Sequence, residues 1–409
     1  MDTIQQTTLP NGVRILTENL PYVGSASIGI WCTTGSTHET EQEAGITHFI
    51  EHMLFKGTPK RTSHQIAEAI EGRGGMLNAF TDKERTCYYC RVLSEDSGVG
   101  FDVLSDMVAN ALLDTDELEK EKGVVLEEIK RSEDEPGDHV HDLHIEGLWP
   151  TSKFGQPIIG TKESVSGFTR DDLTNYMDRR YNADTILVTA AGNVDHEDFV
   201  NWSKVNLGGL QPGEKGSILE RPIPVAGENY VGKEVEQVHF CIGTTGVNYY
   251  DTDFYTLVVL DGVLGGGMSS RLFQEVREKR GLVYSIGSYM LSYTAGGAFS
   301  IYGGTGSQTW DQVQDVVRTE LDKMMDDGPT EAEVLKVKKQ IAGNLVLGME
   351  STSARMQRMA KNEIVHGRQI PMEETVAKIN AISREEIQEL AGRMFKPEQM
   401  RTTVIGPQK

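Results

Sequence analysis

The sequence predicts an α+β protein built from two similar domains. Three observations carry this. Strand-like and helix-like stretches alternate in one order, and that order recurs at about half the chain length. A Gly- and Pro-rich segment, LGGLQPGEKGSILERPIPVAGEN (207–229), separates the two copies. A chain of 409 residues also exceeds what one hydrophobic core usually holds. The expected division is a first domain over 1–210, a linker over 211–229 and a second domain over 230–409.

Each element has its counterpart. ASIGIWCTTGS (26–36) alternates as a strand and ends in a glycine turn, and QVHFCIGTTGV (237–247) does the same. A helix follows in both, over 43–56 and over FYTLVVLDGVL (254–264). IAEAIEGRGGMLNAFT (66–81) and LFQEVREKRGLVYSIG (272–287) then pass from helix to strand through glycine. The stretches 101–132 and 310–346 each show helical spacing, a break and a second helix.

Composition narrows the function. The net charge of −21 and a pI near 4.9 argue against nucleic acid or an anionic membrane as partner. No apolar run reaches the length of a membrane span, and the N-terminus lacks a basic segment followed by an apolar one. A cytoplasmic location is therefore expected. The four cysteines are too few for a disulfide scaffold, and Cys87 and Cys90 (CYYC) lie in a stretch that alternates like a strand. LGGGMSS (264–270) has no lysine at the spacing of a phosphate loop, so nucleotide binding is not expected.

The chemistry concentrates in THFIEHMLFKGT (47–58). On a helix, His48 and His52 share a face at i and i+4, with Glu51 close beside them. Zinc takes imidazole nitrogens as ligands and, in catalytic sites, leaves one position open for water. A neighbouring carboxylate can then act as general base. HxxEH is the inverse of the commoner HExxH zinc motif. A third ligand is needed, and the helix ELEKEKGVVLEEIKR (117–131) offers Glu119, Glu121, Glu127 and Glu128. Glu121 and Glu128 share a face, two turns apart, and the residues alone leave the choice open.

THFIEHMLFKGT, followed 76 residues beyond His52 by Glu128 in EKGVVLEEI, resembles the pitrilysin-type zinc metallopeptidases, in particular the two-domain, mitochondrial-processing-peptidase-like branch found in bacteria. The resemblance spans essentially the whole chain. It implies two homologous domains, each a mainly antiparallel sheet covered by helices and forming half of a clam-like chamber. It implies one Zn2+ per chain, held by His48, His52 and Glu128, with Glu51 as general base and Glu121 supporting a ligand from behind. The strand in GGMLNAFTDKERTCYY (74–89) would be an exposed edge to which a peptide adds, with Asn78, Ala79 and Phe80 in contact with it. Arg277 and Tyr284 of RLFQEVREKRGLVY would reach the substrate, Tyr284 helping to stabilise the oxyanion.

The second half carries LVVLDG where the first has THFIEH, and Asn344 aligns with Glu128, so one metal per chain is expected. His139, His141 and His144 form the other histidine cluster and are expected to be polar residues near the chamber. The expected activity is a zinc-dependent endopeptidase acting on unfolded peptides or short polypeptides. Because this one chain holds both the metal motif and the Arg/Tyr pair, a homodimer is expected. The acidic balance favours basic peptides.

Overall fold

In the computed structural model, residues 4–213 and 219–407 are described; part of the expected linker, 214–218, lies outside them. The first half runs β1 (Ile4–Thr8), β2 (Arg14–Asn19), β3 (Ser25–Cys32), α1 (Ile46–Leu54), α2 (Ser63–Glu71), β4 (Met76–Thr81) and β5 (Thr86–Leu93). It continues through α3 (Ser97–Asn110), α4 (Thr115–Asp134), α5 (Pro136–Leu148), α6 (Lys162–Gly167), α7 (Arg170–Arg180), β6 (Ile186–Gly192) and α8 (His196–Asn206). The second half runs β7 (Gly227–Gly232), β8 (Gln237–Thr245), α9 (Phe254–Leu264), a π-helical turn (Phe273–Glu278), β9 (Val283–Ser292) and β10 (Gly297–Gly306). It closes with α10 (Trp310–Asp326), α11 (Glu331–Gly348), α12 (Thr352–His366), α13 (Met372–Ala381), α14 (Arg384–Met394) and β11 (Arg401–Gly406).

The first sheet has the order β1-β2-β6-β3-β5-β4 and the second β7-β11-β8-β10-β9. Leaving out β1, the strands of both sheets run first, fifth, second, fourth, third in chain order. In each sheet only the pairing of the first and fifth of these strands is parallel. The fold is thus α+β with two mixed, mainly antiparallel sheets of one topology, as the sequence repetition predicts.

The compact units do not follow the midpoint of the chain. The first contains the described residues up to 130, those from 156 to 213, and 346–369. The second contains 131–155, the stretch from 219 to 345, and the described residues from 370 onward. The segment carrying α5 therefore belongs to the second unit and that carrying α12 to the first. Within the first unit, α12 covers one face of the sheet: Met356 and Met359 pack with Trp31 and Leu187, Ser27 meets Thr352 at 2.8 Å, and Arg14 pairs with Glu363 at 3.0 Å. Within the second, Val140 of α5 packs on Cys241 and Ile405, and His144 meets the Thr403 hydroxyl at 3.3 Å.

The opposite face of the first sheet packs on α1 and α3 through Ile28, Ile30, Phe49, Ile50, Met53 and Phe101, all fully buried. Burying a side chain such as Phe49 contributes about 1.5–3 kcal/mol. Cys87 and Cys90 sit three apart on β5, so their thiols enter the cores on opposite faces of the sheet. Burial pushes the Cys90 thiol up to about 12 and that of Cys87 well above its usual value, so both are inert strand residues. Among the described residues no helix is long and apolar enough to cross a membrane.

Candidate metal centre

Helix α1 is amphipathic about the site. Ile46, Phe49, Ile50 and Met53 form its buried stripe, while His48, Glu51 and His52 lie on the other side. Helix α4 brings the third group. Its buried line is Leu118, Glu121, Val125 and Ile129, a carboxylate set among apolar residues, with Glu128 beside it. His48 Nε2 lies 3.8 Å from Glu128 Oε1, and His52 Nε2 lies 3.7 Å from Glu128 Oε2. The three side chains each offer a ligand atom, all within 4.8 Å of one another, and they are the only such group of three among the described residues. Three donors each ~2.0–2.1 Å from one tetrahedral zinc stand roughly 3.4 Å apart, so the observed spacing needs little adjustment to close on an ion.

Glu121 is 3% exposed, and its Oε1 accepts a hydrogen bond from His52 Nδ1–H at 2.8 Å. That bond fixes the tautomer and leaves the Nε2 lone pair directed to the Glu128 side. Lys56 pairs with the other Glu121 oxygen. Burial tends to raise the Glu121 pKa, but the bonds from His52 and Lys56 hold it below the usual glutamate value. For His52, burial is outweighed by the bond to Glu121 and the charges of Glu121, Glu128 and Glu51, which raise its pKa. Burial and the nearby His52 push His48 down to about 4, so it presents a neutral imidazole. Two imidazoles facing a group of carboxylates make a donor set suited to a divalent cation.

Glu51 Oε2 accepts a hydrogen bond from Thr81 Oγ1 at 2.5 Å, at the end of β4. Burial raises the Glu51 pKa, opposed by Thr81 and His52 and reinforced by Glu128. Thr81 and Lys56 carry no motif of their own. The only sequence signal for Thr81 is its place two residues past Ala79, on the same side of an edge strand. Glu127 points away, its carboxylate 4.0 Å from Lys130.

Among the described residues, strand β4 is one edge of the first sheet and β1 the other. Leu77 and Ala79 face the core on the helix side, Phe80 packs on Trp31 and Tyr89 on the other, and Asn78 is exposed. In the second unit, Arg277 lies in the π-helical turn with its guanidinium 4.6 Å from the Phe273 ring and 5.4 Å from the Tyr284 ring. Tyr284, at the start of the edge strand β9, is 84% exposed. His141 bonds the Tyr289 hydroxyl at 2.9 Å and His144 is fully buried, so neither belongs to a metal-binding group.

Two family models match the chain: "Insulinase (Peptidase family M16)" over residues 14–162 and "Peptidase M16 inactive domain" over 167–341. The uncharacterized zinc protease YmxG of Bacillus subtilis is 42% identical over 96% of this chain and 96% of its own length. The chain belongs to peptidase family M16. An uncharacterized zinc protease of Streptomyces coelicolor is 39% identical, covering 100% of this chain and 90% of its own. Among solved structures, a protease from Helicobacter pylori shares the fold with a TM-score of 0.92 at 20% identity, covering 99% of both chains. A peptidase M16 inactive domain from Pseudomonas fluorescens gives 0.91 at 20% identity, covering 99% of this chain and 98% of that one.

The second unit carries different side chains at the corresponding places of the same frame. At the places of His48, Glu51 and His52 in α1, helix α9 carries Val258, Asp261 and Gly262. Counting from the alignment of Glu128 with Asn344, the place of Glu121 falls on Val337, whose Cγ1 lies only 2.5 Å from where a Gly262 Cβ would be. Val337 thus packs where a side chain at position 262 would begin. Asp261 still accepts a hydrogen bond from a strand hydroxyl, Ser288 Oγ at 2.6 Å, as Glu51 does from Thr81.

Proposed function

We propose that this M16 protein is a zinc-dependent endopeptidase cleaving unfolded peptides or short polypeptides, with one zinc held by His48, His52 and Glu128. The observation that carries the reading is the convergence of those three donor groups beside the Glu51 carboxylate. The printed names of the relatives, zinc proteases, support the choice of metal. Zinc bound there supplies Lewis acidity toward a peptide carbonyl and brings the pKa of water toward neutral. Glu51 takes the proton from the attacking water and returns it to the leaving amine. Thr81 orients Glu51. Glu121 keeps the His52 ring aimed.

The substrate adds to the β4 edge along Asn78, Ala79 and Phe80, and its backbone bonds give sequence-tolerant binding. Arg277 and the exposed Tyr284 serve as donors to the substrate and the developing oxyanion. The working form is a homodimer. The decisive test is Glu51→Gln. Zinc content by mass spectrometry stays at one per chain, while peptide cleavage falls by about 10²–10⁴-fold. Undiminished cleavage in the zinc-loaded variant refutes the mechanism.

A further inference from the structure

Helix α1 begins without a side-chain cap. Its N-cap, Gly45, is left-handed at φ +87°, and a Cβ there would lie 2.6 Å from the Ile159 carbonyl oxygen. Neither Ser, Thr, Asp nor Asn fits this position, so the first-turn N–H groups need acceptors from elsewhere. One comes from the backbone: Ile46 N–H donates to the Glu43 carbonyl at 2.8 Å. The other two bonds go to one remote carboxylate. Glu39, 1% exposed, accepts from Gly45 N–H at 2.7 Å through Oε2 and from Thr47 N–H at 2.9 Å through Oε1.

Glu39 is itself anchored. It follows the tight turn Ser36–His38, where Thr37 N–H donates to the Lys83 carbonyl at 2.9 Å and Ser36 N–H to the Asp82 carbonyl at 3.3 Å. Asp82 is the residue after Thr81, the hydroxyl on Glu51. A second tie holds the same helical turn, the Thr47 hydroxyl 2.8 Å from that of the buried Tyr176. The carboxylate thus couples the start of α1 to the hairpin of β4 and β5, and both carry groups of the site.

We propose, resting on the zinc-centre reading above, that Glu39 is a positioning residue. Its clamp on the Gly45 and Thr47 N–H groups sets the rotation and axial position of α1, and thereby the aim of His48, Glu51 and His52. A two-point acceptor holds a helix end against rotation in a way that a single cap does not.

The test compares wild type, Glu39→Gln and Glu39→Asp. Zinc affinity is read by competition with a fluorescent chelator, steady-state kinetics on a peptide, and amide exchange at Gly45 and Thr47. In Glu39→Gln, zinc binds roughly tenfold more weakly and kcat of the zinc-loaded protein falls by a similar factor, with KM unchanged and faster exchange at both amides. Glu39→Asp, which keeps both carboxyl oxygens but shortens the reach, falls between. Wild-type zinc affinity and kcat in folded Glu39→Gln overturn the proposal. If that variant does not fold, wild-type values in Glu39→Asp overturn it and intermediate ones support it. Absence of zinc binding in the wild type overturns the zinc-centre reading, and the positioning role with it.

Discussion

Replacing Glu121 tests whether the site depends on a residue that never touches the metal. Its Oε1 accepts the His52 Nδ1–H bond at 2.8 Å, its other oxygen pairs with Lys56, and it is buried. Glu121→Ala removes the acceptor and leaves the His52 ring without a fixed tautomer. Among the described residues, Nδ1 of His48 is buried without a hydrogen-bond partner, so the other imidazole has no counterpart of this carboxylate. A hydrogen bond to a charged group is worth about 1.5–3 kcal/mol. At about 1.4 kcal/mol per tenfold, that corresponds to roughly 10- to 100-fold in zinc affinity. Glu121→Gln keeps an acceptor but loses the charge, roughly halving the bond, so its loss lies near the lower end. Chelator competition at fixed pH measures both, with Glu127→Ala as control because Glu127 faces solvent beside Lys130. A folded Glu121→Ala protein within twofold of wild type refutes the reasoning, as does an equal loss in Glu127→Ala.

Other consequences are open to direct measurement. Gly262→Ala adds a methyl 2.5 Å from Val337 Cγ1. Ala gains about 1 kcal/mol of helix propensity over Gly, but the stiff, buried valine cannot yield, and overpacking costs about 1–3 kcal/mol. A lower melting temperature with unchanged zinc content is expected, and a rise would show that the valine moves freely. Glu333 bonds Arg271 through both oxygens, at 2.8 and 2.9 Å. Against the upward push of burial, those bonds and the Thr330 N–H pull its pKa from 4.5 to about 2. Its contribution to stability is therefore complete above the unfolded value of 4.5 and is lost as pH falls toward about 2. The stability difference between wild type and Arg271→Met in urea titrations should shrink over that window, and a constant gap would remove the pair from the account. With a net charge of −21, matched basic peptides should be cleaved faster than acidic ones at low salt, the advantage fading as salt rises. Equal rates at all salt concentrations would remove the charge preference.

The sequence discloses what depends on spacing. His48, Glu51 and His52 share a helix face because of 3.6-residue periodicity, and the duplicated topology follows from the repeated order of strands and helices. Glu128 was not separable from Glu119, Glu121 and Glu127 on spacing alone. Periodicity states which residues share a face, not which neighbour that face meets, and the resemblance alone made the choice. The same limit explains α5 and α12. Their amphipathic patterns require a covering surface, yet α5 lies in the second unit and α12 in the first, and nothing local to either helix marks that exchange. Glu39 and Thr81 carry no motif: Thr81 meets a carboxylate 30 residues away, and Glu39 bonds two backbone N–H groups, which no side-chain pattern marks. The signal for Glu39 was negative: AGITH opens a helix without a usual capping residue.

The open edge of β4 also bears on how the protein meets copies of itself. A strand with open N–H and C=O groups pairs as readily with another copy of itself as with a substrate, which is how edge-to-edge aggregation begins. Here the Ala79 N–H is already taken by the Asn78 side-chain oxygen at 2.8 Å. The strand is also only six residues long. Any added strand must first displace that amide, so the resting edge discourages casual partners and admits one that offers enough further bonds to repay the exchange.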